Sequence, residues 1–256
     1  MAPSSIPPFC AWVSLCLLPS CAAGAFAWPS ADEFQNAARE AVESPRTWGP
    51  ALGAGVLWAT NADRGISDWA KQASPVFKSE ENAEMWSDSL RFAGNRLMNV
   101  AQISHFVTSD SWDRSWKQAF IGYGSAIVAT EAGWALKKIT NRDRPEPTEN
   151  SPSFPSQHAA RCFAYNGQTR LAFEDAGIDS FFSDGVIFTG DLVAWGTSWA
   201  RVESGAHFPS DVLAGAALGN FTAIFLQRAF LSVDGHPSLV IQPGDSGMFV
   251  GASWNF

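Results

Sequence analysis

The chain has 256 residues, 46% of them hydrophobic and 16% charged, with twelve Trp. That length allows one large domain or two small ones, and the composition excludes a disordered chain. A formal net charge of −8 argues against nucleic acid or an anionic membrane surface as a general partner.

Residues 1–27 contain no charged side chain and end in Ala25-Phe26-Ala27, a small-x-small cleavage pattern. They are expected to form a secretory signal peptide. The alternatives are lipidation at Cys21, behind the box "LLPSC", and a retained membrane anchor. Cys10, Cys16 and Cys21 lie in this leader, so only Cys162 would remain and no internal disulfide is expected in the mature chain. The expected location is outside the cytoplasm, in a bacterial periplasm, with membrane association left open.

The first helix is expected over 30–44, where Ser30 and Glu33 fit a capping box. "ALGAGVLWATNADRG" (51–65) is a small apolar segment closed by a polar turn. Residues 79–110 carry a longer helical pattern, with Met85, Leu90, Phe92, Leu97, Val100 and Ile103 near helical spacing. The clearest helix spans 116–139; its Gly122, Gly124, Ser125, Ala126, Ala129 and Ala132 would let a neighbour approach closely. A loop with four prolines follows (140–157). Helices are then expected from His158 to about Phe173, over 184–201 and over 209–231. Glu131 and Asp191 interrupt two of the apolar stretches and Gln227-Arg228 closes the third. Buried helices of a soluble bundle therefore fit better than membrane spans. The tail, 239–256, reads as two short strands around Gly244-Asp245-Ser246-Gly247. Its terminal Phe is like the closing strand of an outer-membrane barrel, but one hairpin cannot form a barrel, so a hairpin packed on the domain is expected.

Three polar segments stand out against this apolar chain. "KKITNRDRP" places six residues between Lys137 and Arg144-Pro145. "FPSQH" holds Ser156, Gln157 and His158. "RVESGAHFPSD" places five residues between Arg201 and His207 and three between His207 and Asp211. Charged groups at the edge of an apolar core are costly unless paired or used. Lys137, Arg144 and Arg201 supply three positive charges, Ser156 a hydroxyl donor, and the helix starting near His158 an N-terminus suited to an anion. Such a set can stabilise a phosphoryl group in transfer, where positioning and electrostatics do most of the catalysis.

The ordered set resembles the type 2 phosphatidic acid phosphatase and vanadium haloperoxidase superfamily, whose pattern is Lys-x6-Arg-Pro, Pro-Ser-Gly-His and Ser-Arg-x5-His-x3-Asp. The likeness covers about 137–219. It implies an all-α helical bundle of the acid phosphatase/vanadium haloperoxidase type, here with the short C-terminal hairpin. With the leader and tail read above, the expected division is 1–27 signal peptide, 28–232 helical phosphatase domain and 233–256 tail, a β-hairpin. By resemblance, His207 is the nucleophile and forms a phospho-histidine, Asp211 holds its other ring nitrogen, and His158 protonates the leaving oxygen and then activates water. Lys137, Arg144, Ser156, Gln157 and Arg201 bind the phosphate, with no metal or cofactor. The implied substrate is a phosphomonoester or diphosphate, with a lipid phosphate favoured. The rival readings are a haloperoxidase holding vanadate as prosthetic group and a non-catalytic envelope protein that keeps the fold. Gln157 stands where the family has Gly, and Ala200 where it has Ser. His105 and His236 match no motif and are expected to be structural or exposed; Glu203 is expected to be solvated, and Arg142 and Lys138 are assigned no contacts.

Overall fold

The computed structural model describes residues 28–146, 151–231, 238–244 and 247–253. The expected leader, its three cysteines and His236 lie outside the described residues. Among the described residues eight helices follow one another: α1 Ala31–Glu43, α2 Pro45–Ala59, α3 Ala62–Ala73, α4 Glu80–Thr108, α5 Trp112–Thr140, α6 Gln157–Asp175, α7 Phe181–Glu203 and α8 Pro209–Leu231. Two extended segments, Ser238–Gly244 and Gly247–Ser253, are paired antiparallel with Ser238 opposite Ser253.

The helix starts follow from local chemistry. Ser30 and Glu33 form the capping box of α1, and Ser79, Ser111, Ser156 and Ser180 cap α4, α5, α6 and α7 by accepting a backbone N–H. Pro209 opens α8, where its missing N–H costs nothing. Neither α2 nor α3 was expected as a helix: 51–65 reads as one apolar segment closed by a turn, and that segment straddles the end of α2 and the start of α3. Helix α3 does carry helical spacing, in Ile66, Trp69, Ala70 and Ala73, and its buried residues are Asp63, Ser67 and Ala70.

Helix α6 is the axis of the bundle, and α4, α5, α7 and α8 all pack on it. The approach of α8 is unusually close. A Cβ on Gly215 would stand 2.4 Å from the Ser156 carbonyl oxygen, and one on Gly219 would stand 2.2 Å from that of Ala160. Only glycine fits at those two positions. The core between α6, α7 and α8 is correspondingly small: Ala159, Cys162, Phe163, Ala194, Val202, Val212 and Ala216. Cys162 is buried, and burial pushes its thiol up to about 11, so it is inert. Helices α1 and α2 pack on α8 from outside.

The long helices turn small residues inward and large apolar ones outward. On α4 the buried face is Ala83, Ser87, Gly94, Met98 and Ala101, whereas Met85, Phe92, Val100 and Ile103, part of the stripe that revealed the helix, are exposed. On α5 the buried side includes Gly122, Ser125, Ala126, Ala129 and Gly133, with Trp116, Phe120, Ile127 and Trp134 outside. Among the described residues only α8 is long and apolar enough to cross a membrane, and it is the core helix, with 56% of that stretch buried within the protein.

Candidate active site

The C-terminal ends of α5 and α7 meet the N-terminal ends of α6 and α8 at one end of the bundle. There they enclose a cavity of about 440 Å³. Lys137, Arg144, Gln157, His158, Arg201 and His207 all line it. The structure thus brings together six of the residues predicted from sequence. Ser156 and Asp211 stand behind this wall: the Ser156 hydroxyl caps α6, its N–H donates to the Asp211 carbonyl (2.9 Å), and both side chains are fully buried.

Each cation is held in place. Lys137 sits in the last turn of α5, where a positive charge suits the helix dipole, and its Nζ donates to the carbonyls of Pro152 and Ser153. Arg144 donates through Nε to the Ser151 carbonyl (2.9 Å), through Nη2 to Ser151 Oγ (2.7 Å) and through Nη1 to the Ala206 carbonyl (3.3 Å). Arg201, in the last turn of α7, reaches Ser87 Oγ of α4 at 3.4 Å and is 5% exposed. These bonds fix the loops around the cavity and preorganise positive charge in it.

Gly205 closes α7 with φ 68°, in the left-handed region that suits glycine. The chain doubles back there, and His207 N donates to the Arg201 carbonyl (3.1 Å). His207 is therefore anchored beside Arg201 and is 2% exposed. Burial pushes its imidazole down to about 3; Arg201 and Lys137 add repulsion, and Asp211 opposes the shift. The ring is neutral at neutral pH, as a nitrogen nucleophile must be. Its Nδ1 lies 3.7 Å from Asp211 Oδ2, an electrostatic contact longer than a hydrogen bond.

Asp211 is engaged elsewhere. Its Oδ2 accepts from Phe208 N (2.8 Å) and its Oδ1 from Arg142 Nη1 (2.7 Å). Arg142 also donates to Ser210 Oγ (2.8 Å) and to Asp63 Oδ2 (2.8 Å). Asp63, on α3, accepts from Ser210 N (2.8 Å) and from the Ser210 hydroxyl. One arginine thus joins two buried carboxylates at the start of α8. This corrects the sequence reading, which assigned Arg142 no contacts and missed Asp63. The signal for Arg142 was its place inside the first motif; Asp63 had none, since its partners are distant in sequence.

His158 Nε2 pairs with Asp88 Oδ1 of α4 at 3.1 Å. Burial lowers its pKa to about 4, with Arg201 and Arg91 adding repulsion and Asp88 opposing. Gln157 turns its amide to the Thr130 carbonyl of α5 (2.9 Å), and the absence of a side chain at Gly133 makes room for it. The residue that departs from the family's glycine therefore braces α6 against α5. Ala200 is buried. Glu203 is not solvated as expected: it is fully buried and accepts from Val76 N and Phe77 N, each at 2.9 Å. His105 is also fully buried and bonded at both ring nitrogens. Lys138 stacks on the Trp134 ring, 3.4 Å from its centroid.

The three motifs fall inside a recognised family segment. Residues 118–232 match the PAP2 superfamily model. The superfamily read from the motifs is thus shown over the stretch that carries them. No curated protein matches the chain. A solved structure described as the first transmembrane PAP2 type phosphatidylglycerolphosphate phosphatase from Bacillus subtilis is similar in fold. It has a TM-score of 0.52 and 19% sequence identity, over 72% of this chain and 95% of that one. The PAP2 segment does not contain the whole cavity wall. Glu84, Asp88 and Arg91 on α4 line the cavity and precede that segment. Asp63 on α3 also precedes it; it stands behind the wall and is joined to Asp211 through Arg142.

Proposed function

We propose that this chain is a phosphatase of the PAP2 superfamily that works through a phospho-histidine. The observation that carries the reading is the cavity itself: two imidazoles, His158 and His207, line one pocket with Lys137, Arg144 and Arg201. The three cations would seat the phosphoryl oxygens. His207 Nε2 would attack phosphorus while Asp211, 3.7 Å from Nδ1, stabilises the charge that develops on the ring. Catalytic contacts of this kind commonly shorten when substrate binds. His158 would give a proton to the leaving oxygen and take one from the water that cleaves the P–N bond. Ser156 is assigned a supporting part, as the cap that aims the α6 N-terminus.

A lipid phosphate is the proposed substrate, and the protein is proposed to lie against a membrane. Large apolar side chains on the outer faces of α4, α5 and α7, over small residues inside, suit helices packed beside lipid. Export through the N-terminal segment, and the paired C-terminal strands as an appendage to the helical domain (28–232), belong to the same proposal.

The test is orthophosphate release from an alkyl monophosphate with EDTA present. The wild type turns over, vanadate inhibits competitively, and His207→Ala lowers kcat on the order of a thousandfold or more. Turnover by His207→Ala at the wild-type rate overturns the nucleophile assignment. Loss of turnover in EDTA, restored by added metal, overturns the metal-free mechanism.

A further inference from the structure

Each imidazole of the cavity is met by a carboxylate, and the two pairs differ. Asp211 is fully buried and stands 3.7 Å from His207 Nδ1. Asp88, on the α4 wall, meets His158 Nε2 at 3.1 Å, and its side chain is 54% exposed. Among the described residues this is the one hydrogen bond of the His158 ring. Asp88 belongs to none of the three motifs and precedes the PAP2 segment. A general acid is hard to charge in this setting. Of the charged side chains that line the cavity, Arg91, Lys137, Arg144, Arg161 and Arg201 are cationic, and Glu84 and Asp88 anionic. Burial and the repulsion of Arg201 and Arg91 push His158 toward its neutral form; the hydrogen bond and charge of Asp88 oppose them. Asp88 stays ionised in doing so. Burial alone would raise its pKa, but the hydrogen bonds from His158 and Arg91 hold it below the usual carboxylate value. Arg91, one turn on along α4, steadies the carboxylate through Nη2 to Oδ1 (3.1 Å).

We infer that Asp88 is a positioning residue for the general acid: it holds His158 by Nε2 and stabilises the protonated ring, leaving Nδ1 to exchange the proton with the substrate. The inference rests on the phosphatase reading and adds to it a residue that no motif supplies. A neutral imidazole whose Nε2–H donates to a carboxylate has its lone pair on Nδ1, so the pair with Asp88 fixes the tautomer.

The proton balances over the two half-reactions. In the first, His207 Nε2 bonds to phosphorus as the bond to the leaving oxygen breaks, and the electron pair on that oxygen takes the proton of His158 Nδ1. The ring is then neutral, with Nε2–H still on Asp88. In the second, water attacks phosphorus as the P–N bond breaks, and the electron pair of that bond returns to His207. Nδ1 of His158 takes the proton of the water, and the ion pair with Asp88 is restored as orthophosphate leaves.

The test separates proton donation from phosphate binding through the leaving group. An alkoxide needs a proton to depart, whereas para-nitrophenolate leaves as a stable anion and depends little on one. The readout is kcat/KM for an alkyl monophosphate and for para-nitrophenyl phosphate in the wild type, Asp88→Asn, Asp88→Ala and Asp88→Glu. Asp88→Asn and Asp88→Ala lower the alkyl value about tenfold more than the nitrophenyl value, the scale of a lost charged hydrogen bond, and Asp88→Glu restores part of it. A proton NMR titration gives a second readout: the His158 ring titrates at lower pH in Asp88→Asn than in the wild type. Losses that agree within about twofold for the two esters, or a His158 titration that does not move, overturn the positioning role and leave the phosphatase reading intact. A wild type that hydrolyses neither ester overturns both.

Discussion

Arg142 reaches two carboxylates from one guanidinium, and both carboxylates are nearly closed to solvent. Removing a partner from such a cluster leaves a buried charge unpaired. Arg142→Ala is therefore expected to lower stability by about 3 kcal/mol, read by urea unfolding. Arg142→Lys recovers only part of it, since a point charge cannot bridge Asp63 and Asp211 as a fork does. Unfolding curves that coincide for wild type and Arg142→Ala would remove Arg142 from the site's framework. His158 gives a second prediction at this scale. Its pKa of about 4 leaves a small protonated fraction at pH 7, which grows about tenfold for each unit of pH lowered until the pKa is approached. Hydrolysis of an alkyl monophosphate, with a poor leaving group, should rise as pH falls from 7 to 5, while His207 stays unprotonated. A rate that falls over that interval contradicts His158 as the acid. The residues proposed to bear this chemistry were legible because charge is conspicuous in an apolar chain. Arg91, Arg161 and Asp88 were not, because an arginine or aspartate on a helix is ordinarily solvated; their place in the cavity wall is visible only once α4 and α6 are side by side.

The α6–α8 contact sets the position of both histidines, since α6 begins next to His158 and α8 next to His207. Gly215 and Gly219 make that contact possible. Gly215→Ala should cost about 1–3 kcal/mol by overpacking and lower kcat more than it raises KM, because it separates the two imidazoles without removing a phosphate ligand. Unchanged melting temperature and kcat would show that α6 and α8 are free to adjust. The other end of α6 is tied differently. Asp175 pairs with His105 of α4 (2.7 Å) and with Arg114 of α5 (2.6 Å), roughly 25 Å from the cavity end at the rise of an α-helix. Ser115 completes a Ser-His-Asp line with these residues, but Ser115 and His105 are buried and no substrate reaches them. Burial alone would raise the Asp175 pKa; the hydrogen bonds from His105 and Arg114 outweigh it and hold it at about 2. Its ionised form therefore contributes stability above pH 3.8, and that contribution of about 2 kcal/mol is lost as pH falls toward 2. Asp175→Asn should flatten the acid limb of the stability curve; an unchanged limb contradicts the tie. Helices α1, α4, α5, α6, α7 and α8 were legible to within a few residues, because serine caps and prolines mark most of their starts. Helices α2 and α3 were not, because the stretch 51–65 runs across both and reads as one apolar segment with a turn, and the apolar spacing of α3 begins only at Ile66.

As a whole the molecule is a bundle with small residues at its axis and large apolar ones outside. Periodicity locates a helix but does not say which side faces in. On α4 and α5 glycine, alanine and serine are inside because α6 comes close, so the bulky residues turn outward. With a net charge of −8, adsorption on anionic lipid is opposed. Binding to neutral phosphatidylcholine vesicles is expected, and Phe120→Ser with Ile127→Ser should weaken it; co-sedimentation that ignores both changes would contradict a lipid-facing outer surface. The site was legible in sequence order because three motifs fall within about eighty residues of one segment. The wall supplied by α4 and the brace supplied by Asp63 of α3 were not, because both come from residues ahead of that segment. The account turns on a covalent bond between phosphorus and His207. The most direct measurement is to mix the protein with labelled substrate, quench in base and map the label by mass spectrometry. The result expected is a phosphoryl group on His207 that is absent from His207→Ala. Continued turnover with the label on another residue, or with none bound at any time before product appears, would contradict it.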